Sequence, residues 1–228
     1  MPTEDDAPLA SEPVDEWPVY LIVGGWRTEQ KRVLDYVTNA PFDPQVISSK
    51  LLAEWWPEVS GTKAMVSMDT TEWWAMPYGE RTVVDALVRY VRPRVAFEFG
   101  TFMGATTALI ADAAPPGAVV HTIDIPPEAF EQEGFSEEYE ARGGAPAELL
   151  GSRFRERDKA TNSIIFHRAY SDNFDYSPLR GKVDFILVDA SHEYEDVLRD
   201  SERALEMLSP WGVIVWDDYY WFQPGVVQ

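Results

Sequence analysis

Val95-Ala-Phe-Glu-Phe-Gly-Thr-Phe-Met-Gly-Ala-Thr-Thr107 decides the fold. An apolar run ends in Glu98-Phe-Gly100, three residues intervene, and Gly104-Ala-Thr-Thr opens a helical pattern that lasts through Ala114. The stretch reads as a strand, a tight glycine turn and a helix N-terminus. Glycine suits such a turn because it lacks the Cβ that would clash with a positive φ or with a ligand close to the backbone. The start of a helix carries N–H groups with no partner inside the helix, and these attract polar or negative ligand atoms. The next apolar run, Val119-Val-His-Thr-Ile-Asp124, closes on a second acid. An acid at the end of the second strand is placed to bond a ribose diol. Together the two runs point to a nucleoside-type cofactor at the carboxyl edge of a parallel sheet.

Elements extend outward from this stretch in both directions. Pro77-Tyr-Gly-Glu-Arg-Thr-Val-Val-Asp-Ala-Leu-Val-Arg-Tyr90 predicts a helix, because Val83, Val84, Leu87, Val88 and Val91 recur at helical spacing. Apolar runs at 95–99, 119–124, 164–169, 183–189 and 212–217 predict strands, with helical segments such as Tyr194 to Leu208 between most of them. Strands alternating with helices imply an α/β fold, a Rossmann-like doubly wound and mostly parallel sheet with right-handed crossovers. Residues 1–16 are rich in proline and acids and read as a flexible acidic tail. Residues 17–75 read as an N-terminal extension or cap, with a candidate strand at Val19–Val23 and helices at 29–39 and 45–56. The main domain is expected over 76–228, with an insertion at 126–160 that is long for a crossover and suited to a lid or an extra helix.

Composition narrows the possible roles. A chain of 228 residues with 45% hydrophobic and 13% aromatic content can bury one sizeable core. The net charge of −20, from 39 acids against 19 bases, should repel nucleic acid and anionic membranes, so neither is expected as a partner. A solubility or high-salt role for the acidity is equally compatible with it. With no cysteine there is no disulfide, thiolate metal site or cysteine nucleophile, which fits a cytoplasmic protein. No apolar run reaches the ~18 residues of a membrane span, and Met1-Pro-Thr-Glu-Asp-Asp-Ala lacks the basic-then-apolar pattern of a signal peptide.

The chemistry is carried by two further strand ends. Val183-Asp-Phe-Ile-Leu-Val-Asp189 is followed by Ala-Ser-His192, and Gly212-Val-Ile-Val-Trp-Asp217 is followed by Asp218-Tyr219. In a doubly wound sheet the carboxyl ends of parallel strands share one edge, where ligands bind. Asp189, Asp217 and Asp218 should therefore converge and repel one another unless a cation or protons intervene. A hard divalent ion resolves that conflict, with Mg²⁺ the default and Mn²⁺ or Ca²⁺ sharing the same ligands. His192, three residues past Asp189, can take a proton from a substrate hydroxyl whose pKa the ion lowers.

The Glu98-x-Gly100-x-x-x-Gly104-x-x-Thr107 turn, Asp124, Val-Asp189-Ala-Ser-His192 and Trp-Asp217-Asp218-Tyr resemble the class I S-adenosylmethionine-dependent methyltransferases. Within that class they look like the metal-dependent small-molecule O-methyltransferases of the macrolide-sugar, catechol and cephalosporin-hydroxylase-like types. The resemblance covers residues 76 to 222 and implies a Rossmann-like methyltransferase domain. It implies that Glu98, Gly100, Thr101 and Gly104 wrap the methionine moiety of S-adenosylmethionine, with Thr106 near its carboxylate. Asp124 would bond the ribose, and Ser171 and Asp172 would sit at the adenine. Asp189, Asp217 and Asp218 would hold the metal, with Asp189 and His192 at the reacting hydroxyl and His192 as base. The implied partner is a small hydroxylated substrate, and sugar, phenol and catechol are all compatible. A homo-oligomer is compatible as well. Family members continue past the fifth strand with a helix and an antiparallel strand pair. This chain stops at Pro224-Gly-Val-Val-Gln228, so that pair is expected to be missing.

Plainer readings stand beside these. Gly100 and Gly104 can form an ordinary strand-to-helix turn, Asp124 a solvated strand end, and Asp217-Asp218 a helix N-cap pair. His192 can cap the helix from Tyr194. His121 and His167 fall inside strands and read as structural. The tryptophans at 55–74 read as core or interface before substrate wall, and the Arg153–Asp158 charges as a solvated helix face. A nicotinamide oxidoreductase is a second class, opposed by the lack of a Gly-x-Gly-x-x-Gly fingerprint and of a Tyr-x-x-x-Lys pair. A non-catalytic binding protein on the same fold is a third, opposed by the carboxylate trio.

Overall fold

Among the described residues six strands run parallel in one sheet, and the order in which they lie fixes where a ligand can bind. The computed structural model describes residues 20–22, 62–63, 76, 78–132, 146–155, 162–218 and 226. In chain order the elements are β1 (Tyr20–Ile22), α1 (Tyr78–Val91), β2 (Val95–Phe99), α2 (Ala105–Ala113), β3 (Val119–Asp124), α3 (Ala129–Gln132), α4 (Pro146–Leu149), α5 (Ser152–Arg155), β4 (Ser163–Arg168), β5 (Val183–Val188), α6 (Tyr194–Met207) and β6 (Leu208–Trp216). Short 3₁₀ turns at Ser171–Asn173 and Ser177–Leu179 join β4 to β5. The sheet order is β1-β6-β5-β2-β3-β4, and every neighbouring pair is parallel. From β2 the chain winds outward to β3 and β4 on one side, then returns to β5 and winds to β6 on the other. The crevice between β2 and β5 is thus the topological switch point, where ligands of open α/β sheets sit.

Both faces of the sheet are covered, so its central strands are apolar on both sides. Val84, Leu87 and Val88 of α1 and Ile110 of α2 pack with Ala96, Phe185, Leu187 and Val215 on one face. Ala204 and Met207 of α6 pack with Phe97, Phe99, Ile186 and Ile214 on the other. Consecutive residues Ala96 and Phe97 therefore enter opposite cores, as the two-residue side-chain period of a strand requires. Each fully buried large side chain contributes about 1.5–3 kcal/mol. Glu98 is the polar exception inside the β2 run, and it is buried completely.

The doubly wound parallel sheet matches the sequence expectation, with small shifts at its ends. β4 begins one residue earlier than expected, and Ala169 N bonds Asp124 O at 3.0 Å just past its end. β6 starts at Leu208, four residues early, because Leu208 pairs with Val183 ahead of a bulge. Gly212 permits that bulge: a Cβ there would lie 2.7 Å from Val183 O. The candidate strand at 19–23 is present as Tyr20–Ile22, and it pairs with Ile214–Trp216 on the outer edge of β6. The helices expected at 29–39 and 45–56 and the tryptophan cluster at 55–74 lie outside the described residues. The insertion is described at 126–132 and 146–155. No helix of the described residues is long and apolar enough to cross a membrane.

Candidate active site

At the switch point the backbone ladder runs one residue beyond each strand. Asp189 N donates to Phe99 O at 2.9 Å, and Asp217 N donates to Val188 O at 3.0 Å. These bonds tie the two acids to the carboxyl edge, next to Gly100. Gly100 has φ +87°, and a Cβ there would stand 1.8 Å from Asp189 O. The glycine is needed so that β2 and β5 can close at this edge.

The glycine turn is held from inside. Asp124 Oδ2 accepts from Thr101 N at 3.0 Å and Phe102 N at 2.7 Å, and Oδ1 accepts from Ile125 N at 2.8 Å. Two N–H groups at the head of the turn are therefore bonded to Asp124. Burial pushes the Asp124 carboxyl up to about 6, against the pull of these three bonds. Gly104, φ +84°, has its own packing reason: a Cβ would meet the Phe154 ring at 2.4 Å. Phe154 belongs to the insertion, whose backbone is fastened to the same turn. Gly151 N donates to Phe102 O at 2.7 Å, and Arg153 N donates to Met103 O at 2.9 Å.

Glu98 lies beneath the turn. Its Oε2 accepts from Thr122 Oγ1 at 2.6 Å and from Thr107 Oγ1, while Oε1 is buried with no hydrogen-bond partner among the described residues. Thr101 Oγ1 and Thr122 Oγ1 share a further bond of 2.6 Å. Burial pushes the Glu98 carboxyl up to about 8; the two threonines pull it down and Asp124 adds a small rise. Between its ordinary value of 4.5 and about 8, the folded chain holds a proton that the unfolded chain has lost, so the contribution of Glu98 to stability falls as pH rises across that window.

Beside this turn the carboxylates do converge. One oxygen from each of Asp189, Asp217 and Asp218 can be chosen so that all lie within 4.8 Å of one another. Burial first, then Asp217, Asp218, Glu98 and Glu80, raises the Asp189 carboxyl well above the usual range. Asp217 is raised likewise, by burial, then by Glu80 and Asp218. Its Oδ1 is buried without a hydrogen-bond partner among the described residues. His192 Nε2 lies 2.7 Å from Asp218 Oδ2, and this hydrogen bond raises the imidazole pKa above 6.5. In this bond the imidazole is the donor whenever the carboxylate is ionised, because an ionised carboxylate can only accept.

Residues 97–219, over half of the 228-residue chain, match the family described as methyltransferase domain. The chain belongs to that family. Catechol O-methyltransferase of Mus musculus is 26% identical over 165 residues, which is 68% of this chain and 56% of that protein. The chain thus spans little more than half the length of this relative. Among solved structures, an O-methyltransferase of tomaymycin synthesis from Streptomyces achromogenes, in complex with S-adenosylmethionine, is 22% identical. That match covers 62% of this chain and 56% of the other, at TM-score 0.41. A methyltransferase from Podospora anserina bound to S-adenosylhomocysteine is 19% identical, over 81% of this chain and 67% of the other, at TM-score 0.39. These scores are low, and the fold rests on the strand order given above.

In this methyltransferase domain the remaining expected site residues are spread along the same edge. Thr106 lies in the first turn of α2. Ser171 opens the 3₁₀ turn after β4; its carbonyl accepts from Tyr176 Oη at 2.9 Å and its side chain bonds Asp200 of α6. Asp172 is exposed. His121 and His167 stand apart on the sheet face, paired at 3.0 Å and stacked with Phe97, consistent with the structural reading. Sequence reasoning missed Thr107 and Thr122 as the holders of Glu98, and Asp200 behind Ser171. It also missed Glu80, an acid in the first turn of α1 that is only 1% exposed.

Proposed function

We propose that this chain is an S-adenosylmethionine-dependent O-methyltransferase, and that a divalent cation, Mg²⁺ by default, assists transfer to a hydroxyl of a small molecule. The observation that carries this is the meeting, at one switch point, of the glycine turn, the three carboxylates and an imidazole bonded to one of them. The donor set fits a hard cation: every candidate ligand atom is oxygen, and Asp217 offers a buried oxygen with no hydrogen-bond donor among the described residues. S-adenosylmethionine supplies an electrophilic methyl on a sulfonium, and the cation lowers the pKa of the acceptor hydroxyl. The chain's own residues position and deprotonate. The turn from Glu98 to Gly104 faces the methionine moiety, with Thr106 near its carboxylate. Asp124 meets the ribose, and Ser171 and Asp172 the adenine. The His192 imidazole takes the hydroxyl proton, and the resulting imidazolium is stabilised by Asp218. The charge of −20 supports a small neutral or cationic acceptor over nucleic acid or anionic membranes. The absence of cysteine fits a cytoplasmic setting.

Titration with S-adenosylhomocysteine, once in Mg²⁺ and once in EDTA, tests the cofactor class directly. Micromolar binding in both buffers is expected, because the turn is held by its own hydrogen bonds to Asp124. Absence of binding in both would overturn the assignment.

Asp124 separates two roles in the same assay. Asp124→Ala removes the acceptor for three backbone N–H groups and should destabilise the fold by about 2–3 kcal/mol. It should also weaken S-adenosylhomocysteine binding while leaving cation affinity unchanged. Asp124→Asn keeps one acceptor oxygen and should recover part of both losses. Unchanged cofactor affinity in the alanine variant would show that the carboxylate serves the turn alone.

A further inference from the structure

The turn that follows β4 is slight, and a buried ring holds it in place. Between β4 and β5 the chain forms two 3₁₀ turns and no α-helix among the described residues. A 3₁₀ turn of three residues has poor hydrogen-bond geometry and little stability of its own. Asp172 and Asn173 of the first turn are exposed, so burial does not fix them. Tyr176 supplies the fastening: its Oη donates to Ser171 O at 2.9 Å. Burial, and then Asp200, raises the Tyr176 phenol above its ordinary value, so the hydroxyl keeps its hydrogen and donates. Tyr176 is only 5% exposed, and its ring is enclosed. Its centroid lies 5.9 Å from that of Phe97, 6.0 Å from that of Phe99 and 4.8 Å from that of Phe174. The Arg203 guanidinium of α6 lies 6.0 Å from the same centroid. Phe99 ends β2 and directly precedes Gly100. A single side chain therefore spans from the foot of the glycine turn after β2 to the turn after β4. A buried tyrosine hydroxyl usually finds a partner. Here the partner is the main chain of a residue placed at the adenine.

We propose that Tyr176 is a positioning residue for recognition of the purine base: through Ser171 O it sets the Ser171–Asn173 turn at a fixed distance from the glycine turn, so that the base and the methionine end of one cofactor are met together. This rests on the S-adenosylmethionine reading above. The base carries the specificity. The Ser171 hydroxyl and the Asp172 carboxylate can accept from the 6-amino group of adenine. Hypoxanthine has an oxygen at that position, and a site built around an amino group discriminates against an analogue that lacks it. That discrimination depends on where the turn stands, and hence on the Tyr176 hydroxyl.

The test is calorimetric titration of the full chain, wild type and Tyr176→Phe, with S-adenosylhomocysteine and with S-inosylhomocysteine. The two ligands differ in the base alone, adenine against hypoxanthine. Wild type should prefer the adenine ligand by about tenfold, the worth of a hydrogen bond to a charged acceptor. Tyr176→Phe keeps the ring and its contacts and removes only the donor. It should bind S-adenosylhomocysteine about fivefold more weakly and S-inosylhomocysteine within about twofold of wild type, so the preference narrows. An equal loss for both ligands gives Tyr176 a role in the fold alone and overturns the proposal, as does unchanged affinity for both. A Tyr176→Phe chain that does not fold has the same meaning. If wild type binds the two ligands equally, the base is not read at Ser171 and Asp172, and the proposal falls while the cofactor class stands. If wild type binds neither, the cofactor reading falls with it.

Discussion

His192→Gln should lower turnover by about 10²–10⁴-fold, the usual range for loss of a general base, with S-adenosylhomocysteine affinity unchanged. Glutamine separates the two things His192 can do. Its amide can still donate to Asp218 Oδ2, which His192 Nε2 reaches at 2.7 Å. It has no lone pair of useful basicity at the Nδ1 position. A residue that only orders Asp218 would therefore survive the change, and turnover within about threefold of wild type would reduce His192 to positioning. The pH profile gives a second readout. In the proposed role the neutral imidazole is the base, so the rate should fall as pH drops through its pKa. The bond to Asp218 lifts that pKa above 6.5, and the proposed cation on Asp218 would oppose the lift. The acid limb of the profile should vanish in His192→Gln, whichever way the two influences balance.

The sequence made the strands and their order of use legible because each carries a local signature. A run buried on both faces is apolar throughout, and a glycine turn or an acid marks where it ends. Asp189, Asp217 and Asp218 were predictable for that reason: each follows a strand whose carboxyl end shares one edge with the others. Features set by partners distant in the chain were not legible. Asp124 was read as a ribose ligand, yet its carboxylate also bonds Thr101 N and Phe102 N, 23 and 22 residues away. Helical periodicity says which residues of α1 share a face and not that the Glu80 carboxylate is buried. The pairing of Tyr20–Ile22 with the far edge of β6 joins the two ends of the sequence, and no local pattern announces it.

Gly100 shows most clearly how a residue's reason can lie elsewhere in the chain. Its sequence context suggested freedom of φ and room for a ligand, whereas its tightest neighbour is the backbone of Asp189. An added Cβ would stand 1.8 Å from Asp189 O, 2.6 Å from Asp189 C and 2.8 Å from Ala190 Cα. All three are main-chain atoms, which no rotamer change can move. Gly100→Ala must therefore part β2 from β5 at the switch point or rebuild the turn. The positive φ costs about 1–2 kcal/mol and the overpacking about 1–3 kcal/mol more. A total near 3 kcal/mol lowers the melting temperature by about 6–12 °C in a domain of this size. Gly117→Ala is the control: its φ is +88° but nothing lies within 4 Å of the added Cβ. It should lose only the conformational part, about 1–2 kcal/mol or about 2–8 °C. Because the clash falls on the main chain of a candidate cation ligand, Gly100→Ala should also weaken Mg²⁺ binding, which Gly117→Ala should not. Equal melting temperatures for the two variants would mean that the carboxyl edge can open freely at β2 and β5, and that the site is not held by the contact between Gly100 and Asp189.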